Sequence, residues 1–367
     1  MVKRFFSNNK LYHFIALIIK LLNILLLSFC FCSTFIYSQE IKTRVSVYDD
    51  IFFTESGLLP LPEKPVELKL VFSLKSEHFQ SPLRLAIDLA GNLYVVNTQH
   101  NLIQKFSSSG EFLAELGTQK NSKPFLRAPD NIYLSGNVLG IYDTARYTLE
   151  LIDPRGMLLR SQKFSETEGI SDFAIDNNSR LYVAHYVQDR KSPLITVYEG
   201  QEKKFTFGQP IFYLHSPQEL NSVSLSLNEK GELYVAFVYF PIVRKYSPRG
   251  ELLAEYKVET PVISAKETYN LKLIGEGVKN TTVRAGYKPI IIRNKYLNGR
   301  LYLLTDYPRL EILELSQDWQ LLSDYWAEFD EVYEVNDMAV AEINGEKIFY
   351  VAHSQPPHYD IDVFKKK

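Results

Sequence analysis

The chain has 367 residues, of which 46% are apolar, 13% aromatic and 23% charged. That content supports a large hydrophobic core and excludes a disordered chain. A formal net charge of −2 offers no basic surplus on which nucleic-acid affinity could rest, so that partner class is excluded as well.

At the start, Lys3, Arg4 and Lys10 precede an apolar run from Leu11 to Tyr37 that is broken by Lys20 and Asn23. A basic start, an apolar centre and a polar exit at Ser38-Gln39-Glu40 read as an export signal over residues 1–38, cleaved near Ser38. The alternative is a retained membrane anchor, because the whole run approaches the ~20 residues a spanning helix needs. The body is therefore expected to be exported, periplasmic or extracellular, and to meet a membrane only through an uncleaved N-terminal segment. Cys30 and Cys32 follow Phe29 and Phe31, where a lipidation motif needs a small residue. Both cysteines fall inside the signal, so the body has no thiol or disulfide chemistry. Losing the four cations of this segment takes the net charge from −2 to −6. Residues 39–65, with Pro60, Pro62 and Pro65, read as an extended lead-in, and 66–367 as a single domain.

That domain is repetitive. Leu83–Gly117, Asp130–Phe164, Ser171–Phe207, Asn221–Val258 and Pro289–Tyr325 share one pattern, and Asn336–Phe364 follows it but stops one strand early. Each unit reads as four short strands: a small apolar strand such as LAID, a Gly or Asn turn, a run of the LYVA type, then two alternating strands joined by a tight turn. Period-2 alternation and β-branched or aromatic residues favour strands over helices. A unit of about 40 residues cannot bury both faces alone, and radial stacking solves this. The expected fold is all-β, a six-bladed β-propeller of four-stranded blades. Val66–Leu74 (VELKLVFSL) is expected to complete the last blade and close the ring, which removes an exposed edge. Glu259–Lys288 is the longest insertion, with small strands expected at Tyr269–Ile274 and Thr281–Tyr287.

The repeat resembles the NHL family. Leu85-Ala86-Ile87-Asp88, Gly91-Asn92-Leu93-Tyr94-Val95-Val96-Asn97 and Gly110-Glu111-Phe112-Leu113 carry the likeness, which spans about residues 66–364. It implies the propeller fold and leaves function open among lyases, lactonase-like hydrolases and plain binding modules.

Aligning the units places Arg84, Asn131, Asp172, Ser222, Ile290 and Asp337 at equivalent points near the mouth of the central channel, where the polar members are candidate ligand-binding residues. The second strands end at Asn97, Asp143, His185, Phe237, Thr305 and His353. His185 and His353 sit in units that face each other across a six-fold ring, one strand spacing of ~4.8 Å outside the channel wall. Two ligands of one Zn²⁺ must each come within ~2 Å, so each histidine is expected to order its own loop instead. The loops of this face are rich in aromatics, which mark recognition surfaces: Tyr186, Phe212, Tyr213, His215, Tyr239, Phe240, Tyr307, Trp326, Tyr333 and Tyr359. The leading expectation is a non-enzymatic module, without cofactor, that binds a protein, peptide or glycan through this face, chiefly Tyr186, Tyr213, Tyr239, Phe240, Tyr307 and Trp326. The alternative, implied by the NHL likeness, is a calcium-dependent hydrolase or lyase with Asn131, Asp172 and Asp337 around the ion. No nucleophile elbow, phosphate loop or dinucleotide fingerprint is present in the sequence.

Overall fold

The computed structural model describes residues 64–75, 82–117, 126–187, 191–211, 218–275, 286–305, 309–328, 335–353 and 359–367. The expected signal and most of the lead-in lie outside these residues. No helix among the described residues is long and apolar enough to cross a membrane.

A first strand, β1 (Pro65–Leu74), precedes the repeats. Unit one is β2 (Pro82–Ile87), β3 (Leu93–Asn97), β4 (Leu102–Phe106) and β5 (Phe112–Leu116). Unit two is β6 (Pro129–Ser135), β7 (Val138–Asp143), β8 (Thr148–Ile152) and β9 (Leu158–Lys163). Unit three is β10 (Ile170–Ile175), β11 (Leu181–His185), β12 (Ile195–Glu199) and β13 (Glu202–Phe207). Unit four is β14 (Val223–Leu227), β15 (Leu233–Phe237), β16 (Ile242–Tyr246) and β17 (Leu252–Lys257). Unit five is β18 (Arg293–Leu297), β19 (Arg300–Thr305), β20 (Leu310–Ser316) and β21 (Leu321–Ala327). Unit six has β22 (Val335–Ile343), β23 (Glu346–His353) and β24 (Ile361–Lys366).

Units one to four are separate antiparallel sheets in chain order. Units five and six form one eight-stranded sheet, because β1 lies between them. Leu68–Leu74 pairs antiparallel with β24, running from Leu68 opposite Lys366 to Leu74 opposite Ile361. Pro65, Val66 and Glu67 pair parallel with Asp324, Tyr325 and Trp326 of β21, a second contact that the repeat pattern does not announce. The first strands touch in succession: β2 with β6, β6 with β10, β10 with β14, β14 with β18, β18 with β22, and β22 with β2.

Turn chemistry explains the hairpins. In units one, three and four, the side chains of Asp88, Asp176 and Asn228 accept hydrogen bonds from backbone N–H groups two and four residues on, at 2.8–3.0 Å. This is the Asx turn. Units five and six use two-residue Asn-Gly turns instead, Asn298-Gly299 and Asn344-Gly345, with φ of 47°, 76°, 53° and 78°. Positive φ at both central positions matches the twist of the flanking strands.

The second strands hold the core. Tyr94, Tyr182, Tyr234, Tyr302 and Tyr350 occupy one repeat position and are buried. Unit two has Gly140 there, and a Cβ on it would stand 2.4 Å from Ile175 Cδ1 and 2.8 Å from Phe173 Cε2. Unit three thus fills the space that the tyrosine takes in the other units.

The insertion before unit five corrects the sequence expectation. Residues 269–274 are helical, within α1 (Pro261–Gly275), and 281–285 lie outside the described residues. Thr260 caps the helix, its Oγ1 accepting from Ile263 N–H at 3.2 Å, and Pro261 suits the first turn. Val262, Ile263, Lys266 and Asn270 form the buried face. Asn270 fixes this face, donating to Tyr239 O (3.1 Å) and Lys288 O (2.8 Å) and accepting from Lys288 N–H (2.8 Å). The buried polar residues at 266 and 270 break the apolar helical period, so the segment reads as irregular.

Candidate functional site

Strand register defines which residues share a place around the first strands. Asn131 is opposite Tyr142, Asp172 opposite Ala184, Ser224 opposite Ala236, Arg293 opposite Leu304 and Asp337 opposite Ala352. Arg84 precedes Leu85, which is opposite Val95. Four of the sequence-derived positions therefore stand, and two shift: Ser224 replaces Ser222, and Arg293 replaces Ile290. Ser222 lies before β14, and Ile290 is buried in the core. Counting forward from the repeat start misplaces them because turn and lead-in lengths vary. The cross-strand register identifies both.

These side chains bind one another across units. Asp172 Oδ1 accepts from Asn131 Nδ2 (2.5 Å) and Phe173 N–H (2.9 Å). Its Oδ2 accepts from Leu225 N–H of the next unit (2.8 Å) and from Arg293 Nη1 (3.0 Å). Asp337 repeats the arrangement: Oδ2 accepts from Leu85 N–H at 2.8 Å and Oδ1 from Met338 N–H at 2.8 Å. Arg293 Nε and Lys295 Nζ stand 3.4 and 3.6 Å from Asp337 Oδ1. Lys295 also donates to Leu85 O (3.1 Å), Arg84 to Asn336 O (3.0 Å), and Leu227 N–H donates to Tyr133 Oη (3.1 Å). Arg293 thus joins unit five to units three and six, Lys295 joins five to one, and Tyr133 joins two to four.

Asn131, Asp172, Arg293 and Asp337 are buried, and Lys295 keeps 26% of its side chain exposed. Burial pulls the pKa of Lys295 down, with Asp337 opposing. Burial and then neighbouring Arg293 hold Arg84 below its ordinary value. Burial acts in the same direction on Arg293, but Asp172 and Asp337 outweigh it and raise its pKa. Three cations face Asp172, Asp337 and the half-buried Asp130, whose charge bears on both arginines.

This chemistry does not fit calcium at Asn131, Asp172 and Asp337. Calcium takes six to eight oxygens. Asn131 Oδ1 already accepts from Ile132 N–H at 2.9 Å, its amide nitrogen faces Asp172, and both aspartates are occupied by donors.

The second-strand ends order local structure. Asp143 accepts from Arg127, Ala128 and Arg146 N–H groups at 2.7, 3.2 and 3.2 Å. His353 Nε2 lies 3.1 Å from Asp362 Oδ2 on the adjacent strand. His185 is half-buried, and burial lowers its pKa. Of the aromatic-face residues, Tyr213 and Tyr307 lie outside the described residues, as do Phe212, His215 and Tyr333. Phe240 is not at a surface: it is 4% exposed and packs edge-on to Phe237 at 6.4 Å, because the short loop into β16 folds its ring onto the core. Tyr239 and Tyr359 are half-buried, and Trp326 carries Arg309 over its ring at 4.9 Å. Tyr186 is 39% exposed, donates its N–H to Gly169 O, and rests its ring on Gly169. It is near enough to influence both Arg293 and Tyr142, the latter pushed up to about 12, mainly by burial. A cluster of buried charges and an exposed tyrosine therefore lie near one another.

No family model matches the chain, and no curated protein does. Two solved structures carry the fold. A member of the DUF4221 family from Bacteroides vulgatus is similar over 83% of this chain and 98% of its own, with a TM-score of 0.53 and 12% identity. The RRP9 WD40 repeats match 83% of this chain and 99% of theirs, with a TM-score of 0.51 and 12% identity. Virginiamycin B lyase from Staphylococcus aureus matches 82% of this chain and 100% of its own at 11% identity, with a TM-score of 0.49. The chain is an all-β protein of the β-propeller class, built of four-stranded antiparallel sheets. Such similarity extends to the fold alone.

Proposed function

We propose that this chain is an exported, NHL-like, six-bladed propeller, and that it binds a polar ligand or partner segment at the mouth formed by the channel floor and Tyr186. The six first strands in cyclic contact support the blade count, and β1 beside β24 supports closure by the N-terminal strand. The basic and apolar run over residues 1–38 supports export to the periplasm or beyond, which N-terminal sequencing of the exported protein tests.

One observation carries the binding reading. The carboxylates of this cluster are taken up by donors of neighbouring units, Arg293 Nε is buried without a hydrogen-bond partner, and Tyr186 nearby stays exposed. A cross-linked cluster of this kind presents fixed hydrogen-bonding edges to a ligand, and an exposed aromatic supplies contact area at small entropic cost. A peptide or glycan with mixed polar groups suits this floor, in which cations and anions balance.

Screening peptides, glycans and small polar molecules by thermal shift identifies a binder. Tyr186→Ala and Trp326→Ala are then titrated with it. Tyr186→Ala is expected to weaken binding at least tenfold without lowering the melting temperature, and Trp326→Ala by less. Unchanged affinity in Tyr186→Ala removes this mouth as the site.

A further inference from the structure

Unit five contains a second cluster of charge. Cross-strand partners share a face of a sheet, as do residues two apart along a strand. Thr305 is opposite Glu311, which is opposite Trp326; Leu303 is opposite Leu313, which is opposite Asp324. All six residues therefore line one face. Leu303 and Leu313 pack there against Tyr234, Val243 and Val258 of unit four and Ile263 of α1. Glu311 and Asp324 thus project into the seam between unit five, unit four and the helix.

Both carboxyls are buried, at 1% and 0% exposure, and none of their four oxygens accepts a hydrogen bond from the protein. Arg309 Nη2 approaches each only to 3.8 Å. Lys266 of α1, also buried, donates to Thr305 Oγ1 at 3.1 Å, and its charge reaches Glu311. From unit four, Lys257 pairs outside the seam with Glu259 (3.9 Å) and Glu267 (2.9 Å). Among the described residues, Arg309 and Lys266 are the cations that bear on the pair.

Asp324 and its neighbours in β21 also hold the start of β1. Asp324 N–H donates to Lys64 O at 2.9 Å, Pro65 is opposite Asp324, and Lys64 Nζ donates to Leu321 O at 2.9 Å.

We infer that Glu311 and Asp324 share one proton and act as a pH-operated latch on the docking of α1 and the start of β1. Two carboxylates in one buried seam cannot both ionise cheaply, so the pair retains a proton where isolated carboxyls have lost theirs. Burial, and then the charge of Glu311, pushes Asp324 up to about 8; burial also raises Glu311. Loss of the shared proton places a second negative charge in the seam without a hydrogen-bond donor. Water must then enter, and the elements it displaces are those packed over the pair: α1, through Lys266, and Lys64–Glu67, through the backbone of β21.

Hydrogen exchange of the full chain from pH 6 to pH 9.5, corrected for intrinsic exchange, tests this by peptide. Protection of residues 64–67 and 261–275 is expected to fall at least tenfold through about pH 8, one pKa unit being a factor of ten. Residues 139–152 of unit two are expected to hold. In Asp324→Asn and in Glu311→Gln the fall is expected to vanish. A flat wild-type profile overturns the latch, as does the same fall in a folded variant. If neither variant folds, the wild-type profile alone decides.

Discussion

Replacing Arg293 with methionine tests whether the buried charges of the first strands form a single electrostatic unit. The substitution keeps an unbranched side chain and deletes the guanidinium that stands 3.0 Å from Asp172 and 3.4 Å from Asp337. Breaking a buried ion pair from one side typically costs about 3–5 kcal/mol, because the charge left behind is uncompensated. Asp172 keeps donors from Asn131, Phe173 and Leu225, and Asp337 keeps Leu85, Met338 and Lys295. The expected loss is therefore at the low end, about 3 kcal/mol. Adding Asp172→Asn removes one stranded charge and is expected to recover about 1–2 kcal/mol of it, a coupling well above the ~0.5 kcal/mol by which independent sites depart from additivity. Equilibrium urea unfolding of the two single variants and the double variant gives the cycle, provided the slope is unchanged. A loss below about 1 kcal/mol for Arg293→Met, or zero coupling, refutes the view that these charges hold one another.

Three further outcomes follow from the packing. Gly140→Ala is expected to destabilise by about 1–3 kcal/mol in urea unfolding, since its Cβ would meet Ile175 and Phe173 well inside contact distance. Leu68→Ala removes a side chain that is 5% exposed in the cluster joining units five and six, and is expected to cost about 2–4 kcal/mol in the same assay. His185 has a lowered pKa, so the unfolded chain takes up a proton that the fold resists. Its contribution is complete above the unfolded pKa of about 6.5 and is lost as pH falls below it, so His185→Gln is expected to flatten the acid limb of a melting-temperature profile.

The repeat was legible because its punctuation is chemical. Asp88, Asp176 and Asn228 tie the same turn, and the LYVA run buries the same tyrosine in five units. Arg84, Asn131, Asp172 and Asp337 could be placed because each directly precedes an apolar residue that opens a first-strand run: Leu85, Ile132, Phe173 and Met338. Arg293 could not, since Asn294 follows it where the other units carry an apolar residue, and the apolar run Ile290–Ile292 lies just before it. Helix α1 was hidden for a different reason. Its inward face carries Lys266 and Asn270, whose burial depends on Thr305, Tyr239 and Lys288, residues far away in sequence. A local apolar period cannot report a face that is made apolar only by distant partners.

Strand formation also explains why the floor is so varied. A first-strand position at the mouth forms no ladder contact through its side chain, so backbone geometry leaves its identity free. Six such positions are nevertheless brought together, and charges placed among them without water must balance as a set. Arginine and lysine in unit five answer aspartates in units three and six, and the asparagine of unit two completes the shell of Asp172. A substitution at one position therefore changes what is tolerated in a unit on the far side. Tyr186, 39% exposed, is not one of these buried charges. Changes at the floor should consequently register first as stability, and changes at Tyr186 as affinity. A variant of Arg293 that stays fully stable while binding is lost would reverse that assignment and make the floor itself the recognition element.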